Sequence, residues 1–455
     1  ANTSFFRDAT NEVGPNLGSQ NRALYWFILN QSANIPIANY KDWRNDQYAS
    51  PDGYYNGYYQ NPYYMVDTSR DTDKTTRMSG NISASWDVYD WLNITGRLSG
   101  DFWAGTGKEW RDAQTFTGDY SRPSPNTSYV RDTEFQRTRY QSDLLASANF
   151  NLTEDFTLKS ILGATSSTYI NHFFGLRSNN LAVPGLYDLT NGTLEATPTT
   201  FDTTERSYAY FADLTFGYKN MVFVNLTGRY DFTSTLPSDE NSYFYPAISA
   251  SAVVTDIIPS LKGDVMNYLK VFGSNSTVYN ALGAEETTEV FGTPLAVAGT
   301  PGFELQNGFI DAGIKKEKIN STEFGLNAGF FNNRLRVDAT YFKTLITDNI
   351  VPTTTPNSSG GNSFRTNIGE LESDGIELTL GGTILKSENF SWDVNVNYTS
   401  VKTVVNSIAP GLDEVVLATT GEYGIYAEVG ETFPAVKASA YYRDPNGNVV
   451  IDPAN

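Results

Sequence analysis

Few side chains in this chain could do covalent chemistry. Its 455 residues include no cysteine and one histidine, which excludes disulfide frameworks, thiol catalysis and Cys/His zinc sites. An imidazole base would have to rest on His172. It lies between Asn171 and Phe173-Phe174 with no visible partner set for a nucleophile or metal, so it reads as structural. Asp444-Pro445-Asn446-Gly447-Asn448, running on to Asp452, spaces its polar residues like a calcium loop. Position six is Val449 instead of the glycine the sharp bend needs, so a β-turn at Asn446-Gly447 is the better reading. Gly360-Gly361 follows no strand-to-helix phosphate pattern. With 51 acids against 32 bases and a net charge of −19, the chain would repel a nucleic-acid backbone. Neither an enzymatic activity nor a cofactor is implied.

Periodicity shows which elements must position the remaining polar groups. Mean hydropathy is −0.37, and no apolar run is long enough to cross a bilayer as a helix. A transmembrane β-barrel has a similar average, because its strands alternate lipid-facing apolar with lumen-facing polar residues. Residues 1–74 are rich in Asn, Tyr and Pro and show no sustained period. Long loops are expected there, with one strand or short helix near Leu24 to Leu29. The tyrosine pairs of residues 54–64 fit loop packing better than stacking on sugar rings.

From Arg77 the period is two. Ile82, Ala84, Trp86 and Val88 alternate with Asn81, Ser83, Ser85 and Asp87, and the pattern recurs at 92–102, 210–218, 222–230, 324–330, 335–341, 376–380 and 390–398. The run 140–169 fits less cleanly. About twelve antiparallel strands are expected over 75–406, followed in 407–455 by a long external loop and the start of further strands. Short links at 89–90, 152–155, 219–220, 332–333 and 386–389 alternate with long polar ones at 104–137, 175–206, 279–316 and 351–364. That alternation suits an all-β, transmembrane, antiparallel up-and-down barrel with short periplasmic turns and long extracellular loops. Ile82, Leu98, Leu214, Val224, Leu326, Val337 and Val396 should then face lipid. Aromatics bracketing the short links, among them Trp86, Trp91, Phe150, Phe156, Tyr218 and Phe223, suit an interfacial girdle.

Several segments resemble the SusC/RagA family of TonB-linked outer-membrane transporters of Bacteroidota. Asn61-Pro62-Tyr63-Tyr64 with Asp73-Lys74 and Gly80-Asn81-Ile82 is similar to that family's approach to a mid-barrel hairpin. Residues 210–214, 229–231 and 243–251 resemble its Tyr-Phe…Arg-x-Asp…Pro-x-x-Ser stretch. Thr322-Glu323-Phe324-Gly325-Leu326 with Asn332-Asn333-Arg334-Leu335, and Asn367-Ile368-Gly369-Glu370-Leu371 with Asp374-Gly375-Ile376-Glu377-Leu378, match two further motifs. The resemblance covers most of 61–400 in order. It implies a partial chain of a TonB-dependent transporter barrel, since no plug or TonB segment is recognisable. It also implies a Gram-negative outer-membrane location, a SusD-like surface lipoprotein as lid, coupling to the TonB complex, and active import of a glycan or peptide. Where the family often has Tyr-Gly-Lys-Thr-Gly-Asn, this chain has Phe272-Gly273-Ser274-Asn275-Ser276-Thr277, so loop detail is not carried over. A passive porin or barrel scaffold, and a soluble β-rich carbohydrate-binding protein, are the competing readings.

Substrate-path candidates follow from parity. Trp103, Phe211, Tyr245 and Phe342 break the small or polar pattern of the lumen positions, each near a long external link. Packing beneath loops is one reason for them, and stacking on a ligand beside Asp101 and Asp231 is the other.

Overall fold

The computed structural model describes residues 2–13, 24–56, 59–113, 127–238, 241–280, 282–283, 295–297, 300–302, 308–354, 358, 360–361, 363–367, 369–409, 411–420 and 423–450. Its long strands are β1 (Asn2–Glu12), β2 (Ser69–Tyr89), β3 (Leu92–Arg111), β4 (Tyr129–Asn151), β5 (Phe156–Asn179), β6 (Thr197–Tyr218), β7 (Val222–Thr233), β8 (Ser242–Val253) and β9 (Met266–Asn280). Short β10 (Leu295–Val297), β11 (Thr300–Gly302) and β12 (Gly308–Ile310) precede β13 (Glu317–Phe330) and β14 (Leu335–Thr347). Then come β15 (Ile350–Thr354), β16 (Ser363–Asn367), β17 (Glu370–Lys386), β18 (Ser391–Ser407), β19 (Glu414–Thr420), β20 (Tyr423–Glu428) and β21 (Ala435–Ala438). The helices are α1 (Leu24–Leu29), α2 (Pro62–Thr68) and α3 (Val254–Ile257).

The chain divides into two compact units, the first being residues 1–84, 96–142 and 167–206. In it β1 pairs antiparallel with β2, Asn2 opposite Asn81 and Glu12 opposite Asp71. The sequence reading missed β1, because adjacent Phe5 and Phe6 break the alternation and all its residues are exposed. The segment before β2 holds a small core of Phe27, Tyr64 and Met65, where α1 meets α2. Asn61 begins α2: its Oδ1 accepts from the Tyr63 amide, and its Nδ2 donates to the carbonyls of Tyr40 and Ala49 at 2.7 Å each. The Asn-Pro-Tyr-Tyr motif is therefore a capped helix start with proline in its first turn.

The second unit comprises residues 85–95, 143–166 and 207–455. Its strands follow the order β6-β7-β8-β9-β13-β14-β17-β18, all antiparallel. Register sorts the two faces. Leu214 lies opposite Leu226 and Leu226 opposite Ile248, while Leu326, Ala339, Leu378 and Tyr398 are successive partners. On the opposite face Asp213, Asn225 and Thr227 form one hydrogen-bonded network, and Asn327 donates to Asp338 at 2.6 Å. Of the seven residues expected toward lipid, none is buried, and Ile82, Leu98 and Val396 are more than half exposed. A water-soluble sheet would cover such a face, since each large side chain left in water forgoes about 1.5–3 kcal/mol. Toward the loop end this face turns polar. Lys343 and Glu372 pair at 2.7 Å, with Asn406 hydrogen-bonded to Glu370.

Turn chemistry explains the tight links. Lys219 and Asn220 both have positive φ (49° and 56°), as the two central residues of a type I′ turn require, and the Met221 amide donates to the Tyr218 carbonyl within this three-residue link. In the four-residue link 331–334, Phe331, Asn332 and Asn333 all have positive φ. Two links depart from the length alternation: 234–241 is short on the loop side, while 254–265 on the turn side is longer and carries α3. The strands also outrun the expected loop boundaries. β3 extends to Arg111, β4 starts at Tyr129, and 140–169 is a clean hairpin of β4 and β5. At 20 to 24 residues, β2 to β6 exceed the roughly 9–11 needed to cross hydrocarbon. Their loop-side ends need no apolar alternation, which is why they read as loop.

Candidate functional site

Three of the six substrate-path residues come together in the second unit. Phe211 lies directly opposite Arg229, and Arg229 opposite Tyr245, while Asp231 is opposite Tyr243. The Arg229 guanidinium sits 5.6 Å from the Phe211 ring centroid, and its Nε is 2.6 Å from Asp231 Oδ1. The Asp231 Oδ1 is buried, and this contact is an ion pair without an aligned hydrogen bond. The β8–β9 ladder stops at Ala247 opposite Ser276. Beyond it Tyr279 meets Tyr243 and Tyr245 at centroid distances of 6.2 and 5.8 Å. Lys316, just before β13, places its ammonium 5.1 Å from both the Tyr243 and Tyr279 centroids and donates to the Ser242 carbonyl.

The other three candidates have partners of their own. In the first unit Asp101 receives two hydrogen bonds from Arg77, at 2.9 and 2.7 Å. Trp103 packs edge-on against Phe135 at 5.7 Å, with Arg137 4.8 Å from its ring centroid. In the second unit Phe342 lies on β14 over Gly375, where an added Cβ would come within 2.6 Å of Cζ.

A local rule connects several of these aromatics. Phe135 covers Gly105, Phe211 covers Gly163, Phe272 covers Gly325 and Phe342 covers Gly375, each ring filling the space a neighbouring strand's side chain would take. This packing accounts for Phe211 and Phe342 without a ligand. Sequence parity missed it because the covering pairs are far apart in the chain. It also missed Tyr243, Tyr279 and Lys316, although Lys315-Lys316-Glu317-Lys318 is the densest basic run in the sequence. Phe223, assigned to the girdle, instead packs on Gly217 across the polar face. Other aromatics at the turn end pair as a girdle would: Tyr89 stacks on Trp91, Trp91 meets Phe150 at 5.0 Å and Phe156 meets Tyr218 at 4.8 Å.

The remaining sequence candidates resolve into structure. His172 does have a partner: its Nδ1 lies 2.5 Å from Asp202 Oδ1, a cross-strand pair joining β5 to β6 in the first unit. Asp444 accepts from the Asn446 and Asn448 amides, and Gly447 has φ +86°, which makes a β-turn. Tyr54 and Tyr64 are buried, and Tyr54 and Tyr55 both donate to Gln31. Burial, then the nearby Asp112 carboxylate, pushes the Tyr64 hydroxyl up to about 12. Asp67 is partly desolvated, which alone would raise it. Hydrogen bonds from Trp43 and Arg44 outweigh that and hold its carboxyl below the usual range.

Long antiparallel strands with one apolar exposed face, one hydrogen-bonded polar face and aromatic pairs at the turn end define an outer-membrane β-barrel. The chain belongs to the TonB-dependent receptor-like β-barrel family, whose model matches residues 22–448. It is a protein of the Gram-negative outer membrane. It is 28% identical over 236 residues to TonB-dependent receptor P26 of Formosa agariphila, covering 50% of this chain and 23% of that protein. TonB-dependent receptor P3 of the same organism is 24% identical over 280 residues, 58% of this chain and 27% of that protein. Among solved structures, the RagAB peptide transporter matches with TM-score 0.72 at 18% identity, over 82% of this chain and 41% of that one. RagAB in its closed-closed state matches with TM-score 0.73, over 86% and 44%. The chain thus spans about a quarter of the length of these curated relatives and about two fifths of the solved chains. The SusC/RagA resemblance and the all-β barrel class read from the sequence are borne out, and a soluble carbohydrate-binding protein is set aside.

Proposed function

We propose that the chain is the barrel part of an active importer, which takes up a glycan or peptide nutrient energised by the TonB complex and works with a SusD-like lid lipoprotein. The observation that carries this reading is a TonB-dependent receptor barrel whose polar face sets Tyr245 and Asp231 beside Arg229 toward the loop end of β7 and β8. Aromatic walls with a few convergent polar groups are what small-ligand sites are made of. No residue set in the cluster activates a nucleophile, and the reading assigns it binding and passage without bond-making. Periplasmic turns at 219–221 and 331–334, and extracellular loops at 180–196 and 281–316, complete the orientation. The test is nutrient uptake by cells carrying the full-length protein, with and without the proton-motive force. Import should stop when the force is collapsed; uptake that continues would favour the passive porin reading.

A further inference from the structure

We propose that the cluster of Lys316 with Tyr243, Tyr245 and Tyr279 captures an acidic oligosaccharide, a sugar chain carrying carboxylates. This rests on the import reading and names the class of substrate.

Charge is the first observation. The chain carries a net −19, yet its densest basic run, residues 315–318, sits where β13 begins, beside the tyrosines. Lys316 has no carboxylate within ion-pair distance among the described residues. Its ammonium rests over two tyrosine rings and uses one donor on the Ser242 carbonyl. An ammonium has three donors, so others remain for an incoming anion. Arg229 differs in being matched by Asp231.

Shape and polarity choose between ligand classes. Tyr243 and Tyr279 are near parallel, at 24°, and Tyr245 stands edge-on to Tyr243 at 75°, giving ring faces and hydroxyls in one place. Tyr245, Tyr279 and Lys316 are each partly exposed. Amphipathic rings of this kind suit the CH faces of pyranoses. Tyr243 and Tyr245 have the parity of the polar face and Tyr279 that of Val271 and Leu326, so the cluster forms where β8 and β9 part. Below it a row of hydroxyls crosses the polar face in register: Ser276, Ser321, Thr344, Ser373 and Thr403. Ser321 meets Thr344 at 3.0 Å and Ser373 meets Thr403 at 2.8 Å. A polyol can exchange hydrogen bonds along such a row. An extended peptide gains most by adding to a free strand edge, and along this row β9, β13, β14 and β17 are paired on both sides. The cation supplies the preference for an acid, because a charge-assisted hydrogen bond is about twice as strong as a neutral one.

The experiment is calorimetric titration of the full-length transporter in detergent, without TonB. The probes are uronate oligomers (oligogalacturonate, oligomannuronate, oligoglucuronate), a neutral galacto-oligosaccharide and a glutamate-rich peptide. At least one uronate oligomer should bind about tenfold tighter than the neutral sugar, more weakly as salt rises. Lys316→Met should erase that preference and Lys316→Arg should keep it, with heat-modifiable gel mobility reporting an intact barrel. The salt titration of the wild type holds whatever the variants' folding. Equal binding of the neutral sugar, no binding of any uronate oligomer, tighter binding of the peptide, or an unchanged preference in an assembled Lys316→Met barrel would each overturn the proposal. Retained binding with unenergised uptake would instead remove only the TonB-coupled import reading.

Discussion

Replacing Gly163 by alanine should move the Phe211 ring and so separate packing from ligand binding. A Cβ at residue 163 would lie 2.1 Å from Phe211 Cζ and 2.6 Å from both Cε atoms, well inside any tolerated contact. The ring has to leave the glycine, at a cost of about 1–3 kcal/mol for overpacking. Moving it also disturbs the Arg229 contact, worth about 0.5–1 kcal/mol at an accessible site. In a Phe211→Ala background the obstacle is gone, and alanine in place of glycine in a strand should be neutral or stabilising by up to about 1 kcal/mol. The assay is a double-mutant cycle on the full-length barrel, using urea unfolding in lipid vesicles followed by tryptophan fluorescence. A coupling of at least about 1 kcal/mol between the two sites is expected. Additive effects, or a Gly163→Ala barrel as stable as wild type, would show that Phe211 is not held by the glycine.

Other perturbations reach different parts of the chain. Asn61→Ala should loosen residues 24–68, losing at least about 2 kcal/mol from a missing cap and two stranded carbonyls, seen as faster amide exchange in α1 and α2. Asp67 has a depressed folded-state value, so its contribution is fully present above the unfolded-state value and is lost as pH falls through the lower folded one. Trp43 fluorescence should accordingly change in the acid range below that of an ordinary carboxylate, and Asp67→Asn should remove the transition. The chain has no cysteine of its own. A membrane-impermeant maleimide on intact cells should therefore label a cysteine at exposed Val183 and spare one at Asn333. The reverse pattern would invert the topology.

How much was legible depended on where a strand meets lipid. Within the hydrocarbon, parity is enforced, so Ile82, Leu98, Leu214 and Val396 stood out from a single sequence. Above it, the ends of β3 and β4 carry Thr106, Lys108, Asp132 and Glu134 on the apolar parity. With no lipid to select against them they look like loop. Register was invisible too: that Arg229 bridges Phe211 and Tyr245 depends on pairings among β6, β7 and β8 that parity alone does not set. Lys316 reaches Ser242 across 74 positions, a contact no local pattern could have announced.

The central claim is that alternate residues of these strands face lipid and a water-filled lumen. Spin labels placed one at a time along residues 323–328 of β13, in the full-length protein in bilayers, test it most directly. Labels at Phe324 and Leu326 should relax with lipid-soluble oxygen, and labels at Glu323 and Asn327 with a water-soluble nickel chelate. Accessibility without a period of two, or with the two parities exchanged, would contradict the account.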